Sequence, residues 1–490
     1  MNEMGSPNIL VIVMDTARFD TVRRGLSEGI LSNVRDLSTD ATVFTECHAN
    51  GPWTLPSHGS LFTGQYPSDH GAHAGTKHFD PSVPTVAQRL KERGYRTCAY
   101  SNNTWISPEF GFDRGFDDFM LRWELVEGGK DPSGLAKAGS MRDRLRVIHK
   151  LITPDLPNTI LNLLYATYLY YTDTEDDGAR CATDRIIKWI RRNDDRPFFL
   201  FANYTEPHLR YDPPAGYRYR HLPDELSRSD LDEVPQDPWG YITGTVDMTD
   251  RDFQALSSLY LSELEYLDDQ LGRLFDALDD RGILDETAVF ILGDHGENIG
   301  DHGLMDHQYC VRESLTHVPL ICRYPEVFSG RERDGLIELR DLYPTILSIA
   351  GDRSGGKPSS VSRLDLSEFD QPGFGREYSI SEYLEPQPSM QALRKKVGTA
   401  GSARQYDHAL RCLRTDEWTY IENSDGGEEL YYRAADPKET SDVSESNPEK
   451  VAELRELLLE DQGELVRNPG ERRMISGRTR RRLEDMGYIQ

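Results

Sequence analysis

The 490-residue chain has little lysine, although it is rich in charge. Lysine accounts for only 11 of its 56 basic residues, and its 83 acidic residues give a net charge of −27. This charge argues against binding to nucleic acid or to an anionic membrane. An acidic surface with little lysine is typical of a protein kept soluble in high salt, where screening weakens self-repulsion. An ordinary acidic protein is the alternative.

Cysteines and long apolar runs are also scarce. The six cysteines include no CxxC pair, which argues against a zinc knuckle or a disulfide framework. The apolar run at residues 9–14 is too short for a signal peptide. The longest apolar-rich stretch, residues 160–171, falls short of the roughly 20 residues that a membrane span needs. We therefore expect a soluble, cytoplasmic protein without a transmembrane segment, although residues 161–171 could contact a membrane or a partner.

Short apolar runs recur along the chain and predict the strands of a sheet. They cover residues 9–14, 96–100, 198–202, 288–292 and 318–322. Continuous apolar runs of this length are typical of strands buried on both faces. Amphipathic helix patterns lie between them, the longest with leucines from Leu256 to Leu278. Strands that alternate with helices predict an α/β fold with a doubly wound sheet.

The chain changes character near residue 398. We expect a catalytic domain over residues 1–397, with an irregular insertion or lid at 121–173, and a smaller α+β subdomain over 398–490. Within the second unit, residues 410–423 predict one member of a strand pair. Residues 429–432 predict the other member, and residues 451–459 predict a helix.

Acidic and imidazole side chains stand where two of the predicted strands end. Asp15 ends the first strand, and Asp294 and His295 follow the strand at 288–292. Ligands of doubly wound sheets bind beyond the carboxyl ends of the strands. Carboxylates and an imidazole placed there form a plausible part of a divalent metal site. A simple turn-forming role for Asp15 is the alternative.

Thr54 opens the stretch TLPSHGSLFTG, residues 54–64, which predicts the start of a helix. Unpaired N–H groups at such a start suit an anionic ligand. The plainer interpretation is that Thr54 or Ser57 is only an N-cap. If Asp15 and the Asp294–His295 pair hold a cation beside Thr54, that cation would activate the hydroxyl towards a phosphate or sulfate centre.

The stretch at residues 54–64 resembles the signature of the sulfatase family of the alkaline phosphatase superfamily. Further matches follow in family order at residues 8–11 with Asp15, 84–87, 111–117, Pro207 with His208, 293–296, 429–431, and Asp436 with Pro437. The resemblance implies an alkaline-phosphatase-like mixed sheet flanked by helices. It also implies an ester hydrolase that binds a divalent metal ion through Asp15, Thr54, Asp294 and His295.

The chain departs from the family pattern at positions that carry chemistry. Thr54 stands where sulfatases have the Cys or Ser that is oxidised to formylglycine, and the methyl on its Cβ prevents oxidation to an aldehyde. We therefore expect no formylglycine, and an unmodified threonine nucleophile as in phosphoester-cleaving members of the superfamily. Thr16 replaces an aspartate ligand, and together with imidazole ligation this change favours zinc or manganese over calcium or magnesium.

Four further residues complete the candidate catalytic set. His58 replaces the arginine of the signature, His307 stands near the family's later lysine, and Lys77 is a weaker match to its other lysine. His208 and His307 are the candidates for proton transfer to the leaving group, since imidazole titrates near neutral pH.

We expect hydrolysis of a phosphate or sulfate ester of a small molecule, glycan or lipid, with the phosphoester favoured. Arylsulfatase-like sulfate-ester hydrolysis and transfer of a phospho-head-group to an acceptor are alternatives. A third alternative is a catalytically silent protein that only binds a metal or an anion. The sequence does not predict the oligomeric state.

Overall fold

The computed structural model describes residues 6–78, 84–124, 178–192, 196–328, 330–352, 364–398 and 402–467, with a few isolated positions between and after these ranges. Most of the predicted insertion at 121–173 lies outside the described residues, as does most of the stretch at 161–171.

The described helices are α1 Phe19–Glu28, α2 Ser32–Ser38, α3 Thr54–Thr63, α4 Pro67–His70, α5 Val86–Glu92, α6 Ala179–Ile190, α7 Arg228–Glu233, α8 Pro238–Ile242, α9 Asp250–Asp279, α10 Glu313–Thr316, α11 Leu342–Ile349, α12 Met390–Val397 and α13 Pro448–Gln462. None of these helices is long and apolar enough to cross a membrane. The strands are β1 Asn8–Met14, β2 Thr42–Phe44, β3 Cys47–His48, β4 Arg96–Ser101, β5 Asp118–Leu121, β6 Phe198–Tyr204, β7 Thr287–Gly293, β8 Asn298–Ile299, β9 Met305–Asp306, β10 Leu320–Arg323, β11 Arg331–Arg333, β12 Ile337–Glu338, β13 Ser379–Tyr383, β14 Leu410–Arg414, β15 Trp418–Asn423 and β16 Glu428–Tyr432.

An eight-stranded sheet with the order β11-β2-β10-β7-β1-β6-β4-β5 forms the centre of the protein. The strands from β7 to β5 in this order are parallel, whereas β10 runs antiparallel to both β7 and β2. The sheet is therefore mixed, and the predicted α/β fold with flanking helices is confirmed. Four of the five predicted strands form its parallel part, and the fifth is the antiparallel β10.

The central strand β1 is buried on both faces. Ile9 and Val11 pack into the apolar cluster on one face, and Leu10 and Ile12 pack into the cluster on the other, to which α9 contributes its leucines. A slip of one residue would exchange these two sets of side chains, so the register of β1 is well specified. Asp15 consequently leaves the sheet at a fixed point on its carboxyl edge.

A second, four-stranded antiparallel sheet has the order β13-β14-β15-β16. Helix α13 packs on it through Val451, Leu454 and Leu458. The prediction of a single strand at residues 410–423 is wrong, because Thr415 N donates to Trp418 O at 2.8 Å and turns the chain between β14 and β15. The smaller α+β unit is confirmed. Its edge strand β13 precedes residue 398, and the limits 1–397 and 398–490 remain a prediction.

Candidate active site

Strand ends and one helix start converge on a single buried cluster. Asp15 follows β1, and Asp294 with His295 follows β7. The register pairs Met14 with Gly293, so Asp15 and Asp294 leave the sheet side by side. Thr54 is the first residue of α3, and all four side chains are almost completely shielded from solvent. The predicted metal-binding residues are thus brought together.

The distances within this cluster suit coordination of one cation. Asp15, Asp294 and His295 each offer a ligand atom, and these atoms lie within 4.8 Å of one another. His295 Nε2 is 3.7 Å from Asp15 Oδ1 and 3.4 Å from Asp294 Oδ2. Thr54 Oγ1 lies 3.3 Å from the same nitrogen. The hydroxyl therefore stands at the edge of a set of two carboxylates and one imidazole.

Burial makes this cluster costly without a positive charge. Burial raises the pKa of Asp15, and burial together with the neighbouring Asp15 charge raises the pKa of Asp294. Burial also lowers the pKa of His295, which keeps the imidazole neutral. Among the described residues, Asp15 Oδ1 and Asp294 Oδ2 accept no hydrogen bond. Buried carboxylates with open lone pairs beside a neutral imidazole fit a divalent cation.

The N-cap interpretation is wrong for both hydroxyls of this helix start. Trp53 occupies the N-cap position of α3, and no side-chain hydrogen bond caps the helix. Ser57 instead donates to the backbone oxygen of Asp294 at 2.6 Å. The Thr54 hydroxyl points towards His295, and Ser57 ties α3 to the segment that follows β7.

Asn103 is a site residue to which the sequence analysis assigns no role. Its Nδ2 donates to Asp15 Oδ2 at 2.6 Å and to Thr54 Oγ1 at 3.3 Å. The available signal is the polar run Ser101-Asn102-Asn103 directly after a buried strand, at the same sheet edge as Asp15. Asn103 therefore orients both a candidate metal ligand and the candidate nucleophile.

Replacing Asn103 with alanine is expected to lower kcat by about 10- to 100-fold, the usual effect of losing a residue that orients a metal ligand. The Asp15 carboxylate and the Thr54 hydroxyl would lose a shared donor, but all four proposed metal-binding residues would remain. Steady-state kinetics on the substrate found to react, with the metal content measured in parallel, test this. A variant with unchanged kcat would remove Asn103 from the site.

His58 is fully buried and contacts the metal-ligand cluster through Asp294. Its Nδ1 is 2.9 Å from the backbone oxygen of Thr54 and 3.4 Å from Asp294 Oδ2, and its ring packs edge-on against Phe201 at 5.7 Å. Burial lowers the pKa of His58 to about 4, so the ring is neutral near pH 7. His58 supports the helix start and Asp294 through uncharged contacts.

Lys77 lies farther from the cluster. Its Nζ is 5.8 Å from the ring centroid of Trp105, which packs at 5.2 Å against Trp53, the residue before Thr54. The structure thus connects Lys77 to the cluster through two aromatic rings.

His208 and His307 stand together beside the cluster. Their ring centroids are 5.1 Å apart, and the His307 ring is 4.6 Å from that of His295. Burial alone would lower the pKa of His307, but contact with Asp306 and Glu297 raises it well above its usual value. His208 and His307, the predicted proton-transfer candidates, therefore both lie beside the cluster. The carboxylates of Asp306 and Glu297 contact His307.

A hydroxyl and a candidate metal cluster at the carboxyl edge of a mixed sheet are groups that can serve the hydrolysis of an ester bond. The model of the sulfatase family matches residues 7–352, and the chain belongs to this family. The predicted family, its alkaline-phosphatase-like fold and the ester-hydrolase class are confirmed.

Relatives and structural neighbours extend over most of the chain. Arylsulfatase K of Bos taurus is 24% identical over 487 residues, which cover 92% of this chain and 81% of the relative. A choline-sulfatase of Rhizobium meliloti (strain 1021) is 24% identical over 462 residues, covering 90% and 83%. The solved structure of a phosphonate monoester hydrolase from Silicibacter pomeroyi superposes with a TM-score of 0.67 at 22% identity, covering 93% of this chain and 96% of that one. The similarity to the phosphonate monoester hydrolase structure supports the alkaline-phosphatase-like fold of this chain.

Proposed function

We propose that this sulfatase-family hydrolase cleaves a phosphoester through an unmodified Thr54, beside a divalent cation held by Asp15, Asp294 and His295. The observation that carries the proposal is the position of Thr54 Oγ1, 3.3 Å from His295 Nε2 at the edge of two buried carboxylates. A hydroxyl so placed can become a nucleophile, because a nearby cation lowers its pKa.

The donor set favours zinc or manganese over calcium or magnesium, since it combines an imidazole with few hard oxygen ligands. When bound, such an ion stabilises negative charge on the hydroxyl oxygen and on the phosphoryl oxygens. Thr16 supports this set from the backbone. Its N–H donates to Asp294 Oδ1 at 3.2 Å and fixes one carboxylate oxygen.

The residues around Thr54 allow a two-step displacement. The Thr54 hydroxyl gives its proton to a solvent water, and Oγ1 forms a bond to phosphorus while the bond from phosphorus to the leaving-group oxygen breaks. Asn103 orients Oγ1, and His208 or His307 gives a proton to the leaving oxygen. Water then breaks the bond between phosphorus and Thr54 Oγ1, which restores the hydroxyl.

The methyl group of Thr54 supports a phosphoester over a sulfate ester. Oxidation at this Cβ would give a ketone, so the aldehyde on which the family's formylglycine chemistry depends cannot form. Sulfate-ester hydrolysis through the same threonine is the second candidate, because relatives named arylsulfatase and choline-sulfatase match over most of the chain. Transfer of the phosphoryl group to an alcohol acceptor in place of water would use the same first step.

A panel of aryl phosphate monoester, aryl phosphate diester and aryl sulfate tests the proposal, with zinc, manganese or calcium added to the metal-free protein. The assay should contain high salt, because the 83 acidic and 56 basic residues support a proposed site of action in a salt-rich cytoplasm. We expect at least one phosphoester to react faster than the sulfate ester. Turnover of the sulfate ester alone would contradict the phosphoester preference.

A further inference from the structure

A second group of possible metal ligands lies next to the first. Glu297, Asp306 and His307 each offer a ligand atom, and these atoms also lie within 4.8 Å of one another. His307 Nδ1 is 2.6 Å from Asp306 Oδ1 and 3.4 Å from Glu297 Oε1. The ring of His307 stands 4.6 Å from that of His295, so the two groups adjoin.

The backbone holds this second group in place. Strands β8 and β9 form a hairpin in which Asn298 pairs with Asp306, and this pairing places Glu297 across from His307. Asn298 Nδ2 donates to Asp306 O at 3.0 Å, and Arg18 Nη1 donates to Glu297 O at 2.9 Å. These hydrogen bonds fix the main chain at Glu297 and Asp306, from which two of the three ligand side chains extend.

The four carboxylates of the two adjoining groups favour more than one cation. Asp15, Asp294, Glu297 and Asp306 are all buried, and within the described residues their carboxylates form ion pairs with histidines only. When all four are ionised, one divalent ion and a protonated His307 leave them with a net negative charge, whereas a second divalent ion in place of that proton balances their charge. Buried charge without a balancing partner is costly.

A buried carboxylate oxygen without a hydrogen-bond donor also favours a second cation. Glu297 is fully buried, and its Oε2 accepts no hydrogen bond from the described part of the chain. Its other oxygen is the one that faces His307. A buried carboxylate oxygen of this kind can serve a cation as a second ligand atom.

We propose that Glu297, Asp306 and His307 bind a second divalent cation beside the one held by Asp15, Asp294 and His295. Two carboxylates and one imidazole are the same donor types as in the first group, so both sites should accept zinc or manganese. In this state His307 is a metal ligand and cannot donate a proton. The adjacent His208 then remains as the proton donor to the leaving group.

Metal counting tests this inference without an activity assay. The purified protein is loaded with zinc, passed through a desalting column and measured by inductively coupled plasma mass spectrometry. We expect two equivalents for the wild type, and one each for Asp306→Asn and Asp294→Asn. Thr54→Ala should keep at least the ion of the second site, so failure of the nucleophile assignment would leave this result intact.

The metal counts of the wild type and its variants can overturn the inference. One equivalent in the wild type, unchanged in Asp306→Asn, would mean that a proton on His307 neutralises this group. Glu297→Gln provides a second variant of similar size if Asp306→Asn does not fold. A count of two that survives both substitutions would place the second ion elsewhere.

Discussion

Replacing Thr54 with alanine is expected to lower kcat for the reacting phosphoester by at least about 10⁴-fold, as removal of a nucleophile does in other covalent mechanisms. The loss follows because Thr54 Oγ1 is the atom that would bond to phosphorus, 3.3 Å from His295 Nε2. The side chain is buried, and its removal leaves only a small cavity. Stopped-flow and steady-state assays of the purified variant measure the change in kcat.

Thr54→Ser provides the matched control. It keeps the hydroxyl and removes only the methyl group, so kcat should stay within about 100-fold of the wild type. The intact mass of this variant must show that the serine is unmodified. If the alanine variant is as active as the wild type, Thr54 is not the nucleophile.

Replacing Asp294 with asparagine is expected to remove the cation of the first site and to lower kcat by at least about 10³-fold. Asparagine keeps the size of the side chain and can still accept the hydrogen bond from Thr16 N, so the fold should survive. It removes one of the two buried carboxylates that face His295. Kinetics and metal content of the same preparation measure both effects.

Asp301→Asn is the control for this substitution. Asp301 lies in the same stretch of chain, but its carboxylate pairs with Arg18 at 2.6 Å and is partly exposed. Its replacement should leave the metal content and kcat near their wild-type values. Full activity of Asp294→Asn with no bound metal would contradict a role for the cation.

The sequence is sufficient to predict four of the five consecutive parallel strands and three of the site positions, but not the parallel edge strand β5. Strands β1 and β7 are continuous apolar runs from Ile9 and Ala288 onwards, and each run ends before a definite polar residue. The sequence alone therefore places Asp15, Asp294 and His295 at one sheet edge. The position of Thr54 beside them depended on the resemblance of its stretch to the sulfatase signature, because helix starts with a hydroxyl are common.

The second ligand group could not be predicted in this way. Glu297 and His307 are brought together by β8 and β9, which are two residues long and too short to show a pattern in the sequence. The sequence does not predict the role of Asn103 for a different reason. Its role depends on the pairing of β4 with β6, which sets how far the polar run after β4 reaches towards Asp15.

The sequence does not predict the turn within residues 410–423 or the direction of strand β10. Residues 410–423 are almost continuously compatible with a strand, and the turn at Thr415 contains neither glycine nor proline. The apolar run at residues 318–322 predicts strand β10, but the direction of β10 depends on the chain returning through α10 to the edge of β7. Side-chain pattern alone does not encode that direction.

The most direct test of an unmodified Thr54 nucleophile is to trap the covalent intermediate. The wild type is mixed with a reactive aryl phosphoester, quenched in acid within the first turnover, digested and sequenced by mass spectrometry. The account predicts a phosphoryl group on Thr54 and on no other residue of its peptide, with no label in Thr54→Ala. A label on a different residue, or an oxidised Thr54, would contradict it.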